Sequence, residues 1–278
     1  MKTIIVPTDF SDNAMHALRY ACMLNGKLNG KIILFHSYAM PVLATDMTFE
    51  IMPPDDELKK LSHKMLKEQL QQITSEFPGM NFETVAEAGF AEDEIINLAK
   101  TKEADFLVMG TQGASGLREA LIGSITASVM EDTSCPVIAV PEKATVNRLS
   151  KIVFATDYAL NDFENIGKVI ELAKPFNAEL TLLHVSSGEL DKAYEFAAIE
   201  TFKENVKEEN KYEKLTFKLL DSREVLDGLN FYLDEIKADL LVMSMHHRNF
   251  FQKMFSRSKT KRMAFHTHIP LLAFHAEE

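Results

Sequence analysis

Lys2-Thr3-Ile4-Ile5-Val6-Pro7-Thr8-Asp9-Phe10 returns later in the chain as Lys151-Ile152-Val153-Phe154-Ala155-Thr156-Asp157-Tyr158, with Thr156-Asp157 standing on Thr8-Asp9. Recurrence of a run like this makes self-comparison the first test of the fold. At the same offset, Ile33-Leu34-Phe35-His36 finds a copy in Leu182-Leu183-His184. Further on, Ala104-Asp105-Phe106-Leu107-Val108-Met109 matches Ala238-Asp239-Leu240-Leu241-Val242-Met243. Cys135-Pro136-Val137-Ile138-Ala139-Val140 matches Ile269-Pro270-Leu271-Leu272-Ala273-Phe274. The later offset is shorter because the first half carries an extra segment around Pro41–Pro54. The chain therefore reads as a tandem duplication joined near Lys143–Arg148, with domains at 1–143 and 149–278.

Within each half, short apolar runs alternate with stretches of helical period, the pattern of a βαβ chain with a parallel sheet. Strands are expected at about 2–7, 31–37, 81–86, 105–110 and 136–140, then at about 150–155, 179–185, 215–220, 239–243 and 270–275. Apolar spacing of three and four places helices at 12–25, 56–76, 91–102 and 118–131, and at 161–175, 189–209, 224–236 and 258–266. Runs such as Ile4-Ile5-Val6 and Leu180–Val185 do not alternate with polar residues, so both faces of the sheet should be covered. Each half is thus a doubly wound α/β domain with five parallel strands.

Right-handed crossovers make 3-2-1-4-5 the natural strand order, and the winding reverses between strands 1 and 4. A ligand crevice should open at their carboxyl ends, between Pro7-Thr8-Asp9-Phe10-Ser11 and Gly110-Thr111-Gln112-Gly113. Of only 11 glycines in the chain, Gly110, Gly113, Gly116 and Gly123 fall directly after strand 4. Gly110 and Gly113 are suited to positive φ and an inward-facing nest of backbone N–H groups, and Gly123-Ser124 opens a helical segment able to receive phosphate oxygens. Ser124 and Thr126 add hydroxyl donors. A strand-to-helix loop also uses glycine simply to turn tightly, and Asp9 has an alternative use as a helix cap, although Ser11, Asp12 and Asn13 are better placed for that.

Composition narrows the function classes. The chain has 278 residues, 46% hydrophobic and 26% charged, which excludes fibrous and disordered classes. No apolar run approaches the length of a membrane span, and the N-terminal stretch is too short and too soon acidic for a signal peptide, so a cytoplasmic protein is expected. Forty-one acids against 30 bases give a net charge of −11, which disfavours sequence-independent attraction to nucleic acid or anionic lipid. Cys22 and Cys135 form no metal or redox pattern and are expected to be small buried hydrophobes. Neither GxxxxGK[ST] nor a G-x-G-x-x-G after strand 1 is present, which excludes a P-loop NTPase and a standard dinucleotide binder.

Gly110-x2-Gly113-x9-Gly123-Ser124, followed by Cys135-Pro136-Val137, resembles the ATP-binding signature G-x2-G-x9-G-S/T of the universal stress proteins and the entry to their last strand. The resemblance spans both halves, so the chain looks like a tandem universal stress protein with an adenine nucleotide α-hydrolase-like fold. It implies ATP as ligand, with Mg a candidate companion. It further implies that Asp9 contacts adenine with Pro7 and Thr8 beside it, and that Ser37, at the end of strand 2, borders the base. Met109, Gly110, Gly113, Gly123, Ser124, Ile125 and Thr126 would hold ribose and phosphates. The family's usual residue at the Ser37 position is apolar, commonly valine.

The second half has lost the glycines. Ser244 stands at Gly110, His247 at Gly113 and Arg257 at Gly123, with Ser258 at Ser124, so this half should keep a crevice yet reject a triphosphate. Arg248, Lys253, Arg257, Lys259, Lys261 and Arg262 make the replacement segment basic, either as a solvated surface or as a site for a small anion or an acidic partner. His246-His247 and His266-Thr267-His268 lack the carboxylate or cysteine of a familiar metal pattern, and His36 and His184 read as shared structural histidines. The segment Tyr38–Pro54 reads as a lid, a partner contact or a self-packed surface loop.

The leading expectation is a regulatory protein whose ATP occupancy sets its conformation or its affinity for a protein partner that the sequence does not identify. Beside it stand a slow ATP hydrolase or nucleotidyl-transfer enzyme, and a scaffold whose ligand is incidental. Only Arg118 lies near the phosphate loop as a charge-stabilising group, so turnover should be very slow or absent. The apolar last strands, Pro136–Val140 and Pro270–Phe274, should pair as an intramolecular pseudo-dimer, with further self-association left open.

Overall fold

Ile4 and Val6 point to one face of the first strand and Ile5 to the other, yet none of the three is exposed. A strand buried on both faces needs helices on both, and the architecture follows from that requirement. The computed structural model describes residues 1–38, 55–111, 122–158, 161–188, 192–245 and 268–275. In the first half the strands are β1 (Thr3–Pro7), β2 (Lys31–Tyr38), β3 (Asn81–Ala88), β4 (Phe106–Gly110) and β5 (Val137–Val140). Its helices are α1 (Asp12–Leu28), α2 (Asp55–Glu76), α3 (Ala91–Thr101) and α4 (Ser124–Asp132). The second half has β6 (Lys151–Ala155), β7 (Glu179–Ser186), β8 (Leu215–Asp221), β9 (Leu240–Ser244) and β10 (Leu271–Phe274). Its helices are α5 (Asn161–Ala173), α6 (Lys192–Glu209) and α7 (Val225–Ile236), with a short 3-10 turn at Lys174–Phe176. The expected insertion falls on 39–54 and the expected helix 258–266 on another such stretch, both outside the described residues; helix 118–131 is seen from Ser124 onward.

All ten strands share one sheet in the order β3-β2-β1-β4-β5-β10-β9-β6-β7-β8, so each half has the 3-2-1-4-5 order. Pairing within each half is parallel. The halves join where β5 meets β10 antiparallel, with Ile138 opposite Leu272, its own copy in the duplication. Ala139 faces Leu271 and Val137 faces Ala273, so a pseudo-two-fold axis passes between Ile138 and Leu272. Both strands are wholly buried, and each covers the edge that the other would leave open.

The core is correspondingly two layers. On one face Ile4, Val6, Ile32, Leu34 and Ile138 pack with Leu18, Tyr20 and Cys22 of α1 and Leu66 of α2, and this layer continues into Ile152, Phe154 and Ile166 of the second half. On the other, Ile5, Ile33, Leu107 and Val137 pack with Ile95 of α3 and Val129 of α4. Both cysteines lie in these layers, as their isolation in the sequence suggested, and burial pushes each thiol up to about 12.

The connection between the halves is held rather than loose. His16 Nε2 lies 2.9 Å from the Ala144 carbonyl and donates to it, and Ala144 and Leu149 are buried. Burial lowers the His16 pKa below its ordinary value, the effect outweighing the carbonyl contact that favours the charged ring.

Candidate functional site

β1 ends at Pro7, and the chain turns there within three residues. Phe10 adopts φ 65°, the left-handed region, which lets the Thr8 hydroxyl accept the Phe10 N–H at 3.0 Å and the Asp9 carboxylate accept the Ser11 N–H at 3.0 Å. Ser11 then caps α1, accepting the Ala14 N–H at 3.2 Å. Capping is thus the work of Ser11, and Asp9 is left exposed at the lip of the crevice.

β2 is fixed beside this turn. The Thr8 N–H donates to the Phe35 carbonyl at 2.8 Å, and His36 Nδ1 lies 2.8 Å from the Thr8 carbonyl. A carbonyl only accepts, so Nδ1 carries the proton and Nε2 of the neutral ring is the acceptor. The second half repeats the arrangement: His184 Nδ1 lies 2.8 Å from the Thr156 carbonyl, Tyr158 has φ 67°, and ring contacts of 4.4 Å recur between Phe10 and His36 and between Tyr158 and His184. The two histidines are shared structural elements, and His36 additionally lines the crevice.

On the opposite wall, β4 ends at Gly110 and α4 begins at Ser124. Gly123 is the N-cap residue of α4 and, lacking a side chain, gives no side-chain cap; its own N–H is taken by the Thr111 carbonyl at 2.6 Å. The first-turn N–H groups of α4 therefore remain available for an anion, and the helix dipole favours one there. Two expectations change. Gly110 does not have positive φ; its bare Cα is needed because a Cβ would lie 2.1 Å from Asn13 Oδ1 of α1. Thr126 lines the crevice, but its hydroxyl donates to the Gly110 carbonyl at 2.8 Å, which ties α4 to the end of β4. Of these two α4 hydroxyls, that of Ser124 is the exposed one.

These walls enclose a cavity of about 230 Å³ at the carboxyl ends of β1 and β4. Pro7, Thr8, Asp9, Ser37, Met109, Gly110, Gly123, Ser124, Ile125 and Thr126 all line it. Gly113, the eleventh residue expected at the site, lies outside the described residues, as do Gly116 and Arg118. Sequence reasoning missed Ala14, Phe35, Ala91 and Ile95 as lining residues. The spacing of Ala91 and Ile95, one helical turn apart on α3, was the available signal. The cavity is apolar around Phe35, Ile95 and Met109 and polar toward Asp9 and Ser124.

In the second half, Thr156 and Ser244 stand at the positions of Thr8 and Gly110, but His247, Arg257, Ser258 and the surrounding basic residues lie outside the described residues. Among the described residues no group of three or more His, Cys, Asp or Glu is placed to hold a metal ion, and no helix is long and apolar enough to cross a membrane.

Comparison with known proteins bears on both halves. The profile of the universal stress protein family matches residues 1–141 and again 149–275. Universal stress protein MJ0531 of Methanocaldococcus jannaschii is 30% identical over 145 residues, which are 50% of this chain and 81% of that protein. Universal stress protein YxiE of Bacillus subtilis is 29% identical over 145 residues, 49% of this chain and 97% of its own length. Among solved structures, a universal stress protein from Archaeoglobus fulgidus superposes with a TM-score of 0.72 at 19% identity, covering 98% of each chain, a likeness of fold.

Proposed function

The chain belongs to the universal stress protein family, and from that premise we propose that it is an ATP-binding regulator of the stress response whose nucleotide is held by the first half, residues 1–143. The observation that carries this reading is the single cavity that gathers ten of the residues expected to bind nucleotide from four separate segments of sequence. The base would lie against Met109, Phe35 and Ser37 with Asp9 at its edge, and the phosphates would meet the uncapped first turn of α4 and the Ser124 hydroxyl. Mg would be held through the phosphates.

Regulation is favoured over catalysis by the chemistry of the lining. Its titratable groups among the described residues are Asp9 and His36, and each is already engaged by the turn after β1. Hydrolysis needs a group positioned to orient water and one to stabilise the developing charge. ATP occupancy would instead set the conformation of the protein or its affinity for a partner.

Calorimetric titration of the full chain with ATP tests the reading, together with identification of any nucleotide carried through gentle purification. One ATP per chain is expected, lost when Gly113 is replaced by a β-branched residue while the fold is retained. Two nucleotides per chain, or none, would refute it. Multiple turnover in the ordinary enzyme range of roughly 1–10³ s⁻¹ would move the conclusion to the enzyme reading.

A further inference from the structure

Phe10 is a bulky residue held at φ 65°, a conformation that favours glycine and that other side chains rarely adopt. Such a residue persists only where its surroundings over-determine it, and at a ligand cleft that constraint holds a site in its binding geometry. The residue before it is Asp9, which lines the cavity of the first half. Each of the two peptide groups flanking the Asp9 Cα is gripped by a side chain. The carbonyl of the Thr8–Asp9 peptide accepts from His36 Nδ1 at 2.8 Å, and the N–H of the Asp9–Phe10 peptide donates to the Thr8 hydroxyl at 3.0 Å. Peptide groups are planar, so fixing both planes fixes the direction of the Asp9 Cα–Cβ bond between them.

Thr8 acts from within the turn, anchored by its own N–H to the Phe35 carbonyl at 2.8 Å. His36 acts from the neighbouring strand, and it acts twice. Its Nδ1 holds the peptide before Asp9, and its ring lies 4.4 Å from the ring of Phe10, the residue after Asp9. Nδ1 keeps its proton in the neutral tautomer that bonds a carbonyl and in the charged ring alike, so protonation does not release the grip.

We propose that His36 is a positioning residue of the nucleotide site: it acts on the ligand through Asp9, by fixing the turn from which that carboxylate projects. The inference rests on the nucleotide reading for what Asp9 meets; that His36 sets the direction of Asp9 is a statement about the turn alone. The second half supplies an internal control. His184 Nδ1 lies 2.8 Å from the Thr156 carbonyl, the Thr156 hydroxyl accepts the Tyr158 N–H at 2.9 Å, and Tyr158 has φ 67°. Removing that imidazole costs the same contacts in the half to which no nucleotide is assigned.

The test uses the full-length chain and two substitutions that separate the two contacts. H36F keeps a ring beside Phe10 and removes the donor, whereas H36N keeps an N–H donor in place of Nδ1 and removes the ring. Calorimetry with ATP and with adenosine should find one site per chain in the wild type and affinity for both probes lowered about tenfold in H36F, the size of one lost hydrogen bond. H36N should restore affinity to within about threefold of the wild type, since the bond is remade. H184F should lower Tm as H36F does and leave both affinities unchanged. Crystal structures should show the Asp9 carboxylate displaced in H36F and in place in H36N. Undiminished binding in H36F, an equal loss in H36N or an equal loss in H184F overturns the proposal, as does an Asp9 that keeps its position in H36F. If the wild-type chain binds neither probe, the nucleotide reading fails and the crystal structures alone decide whether His36 sets Asp9. Should H36F not fold, H36A takes its place and the same outcomes decide.

Discussion

The two halves of this chain share a strand order, a turn after the first strand and a histidine that fastens it, yet they differ in the side chains at the carboxyl ends of their first and fourth strands. In the first half, Ala14 lines a cavity and Gly110 packs its bare Cα against Asn13; in the second, Asp162 and Ser244 at the corresponding positions are hydrogen-bonded to each other. The backbone is therefore conservative between the copies while the side chains at the switch point are not. A duplicated fold can keep one copy as a binding unit and the other as the partner that covers its edge strand. The seam between β5 and β10 makes the halves mechanically one body, so a change in either should be felt in both.

That comparison can be broken most forcefully at the seam. Ile138 and Leu272 are fully buried opposite each other, and truncating either to alanine should cost about 2–5 kcal/mol. Urea denaturation followed by two probes, one in each half, should shift as a single transition in I138A and in L272A. Separate transitions would show that the halves fold independently. At the crevice itself, G110V should cost about 1–3 kcal/mol and remove ATP binding, because the new Cβ would collide with Asn13. S244V tests the other copy: it should destabilise by breaking the hydrogen bonds of Ser244 with Asp162 and Asn165 and leave ATP binding unchanged, as thermal denaturation and calorimetry can establish.

A third test concerns the acid that opens strand 4 in each half. Asp239 has a side chain only 4% exposed and accepts from Arg148 Nε at 2.8 Å, Ser150 N at 2.8 Å and Lys151 N at 3.0 Å. Its counterpart Asp105, 26% exposed, takes Lys2 Nζ at 2.6 Å and Thr3 N at 2.7 Å. Alanine at 239 takes the acceptor from the partly buried Ser150 and Lys151 N–H groups and should cost about 1–3 kcal/mol. Alanine at 105 should cost less, on the order of 1 kcal/mol, since its ion pair is largely solvated. Equal losses would remove the distinction.

The smallest effect is a pH dependence confined to the first half. His16, whose pKa is lowered by burial, packs against the linker, whereas Glu164 at the equivalent position is exposed and paired with Lys168. A pKa depressed in the folded state means the contribution is fully present above the unfolded value near 6.5 and is lost as pH falls through the folded value. The difference in Tm between wild type and H16Q should therefore be greatest above pH 6.5 and narrow in more acid solution. A constant difference would deny His16 this role.

Much of the fold was legible because its signals are local. Ile4-Ile5-Val6 and Ile32-Ile33-Leu34 are apolar without alternation, and only a strand covered on both faces explains that. The duplication supplied the strand count, and the handedness of crossovers supplied the order. At the site, Pro7, Thr8, Asp9 and Gly123 line one crevice. The reason for one glycine was misjudged. Gly110 looked like a loop glycine needing positive φ and proved to be a packing glycine, because nothing in its neighbourhood of sequence announces Asn13, nearly a hundred positions earlier.

The sequence by itself determined roughly where the described strands and helices lie, that the two halves repeat one plan, and that the last strands would seek each other. These follow from periodicity and from unsatisfied edges, properties carried by consecutive residues. Tertiary structure alone decided that Ile138 meets its own copy, that the Thr126 hydroxyl is spent on the Gly110 carbonyl, and that Asp162 is buried. An acid in the first turn of a helix ordinarily faces water and complements the helix dipole. Asp162 turns inward because Thr156 and Ser244 offer it two hydroxyl protons, and Ser244 lies 82 positions away, a distance across which only the folded sheet can bring donor and acceptor together.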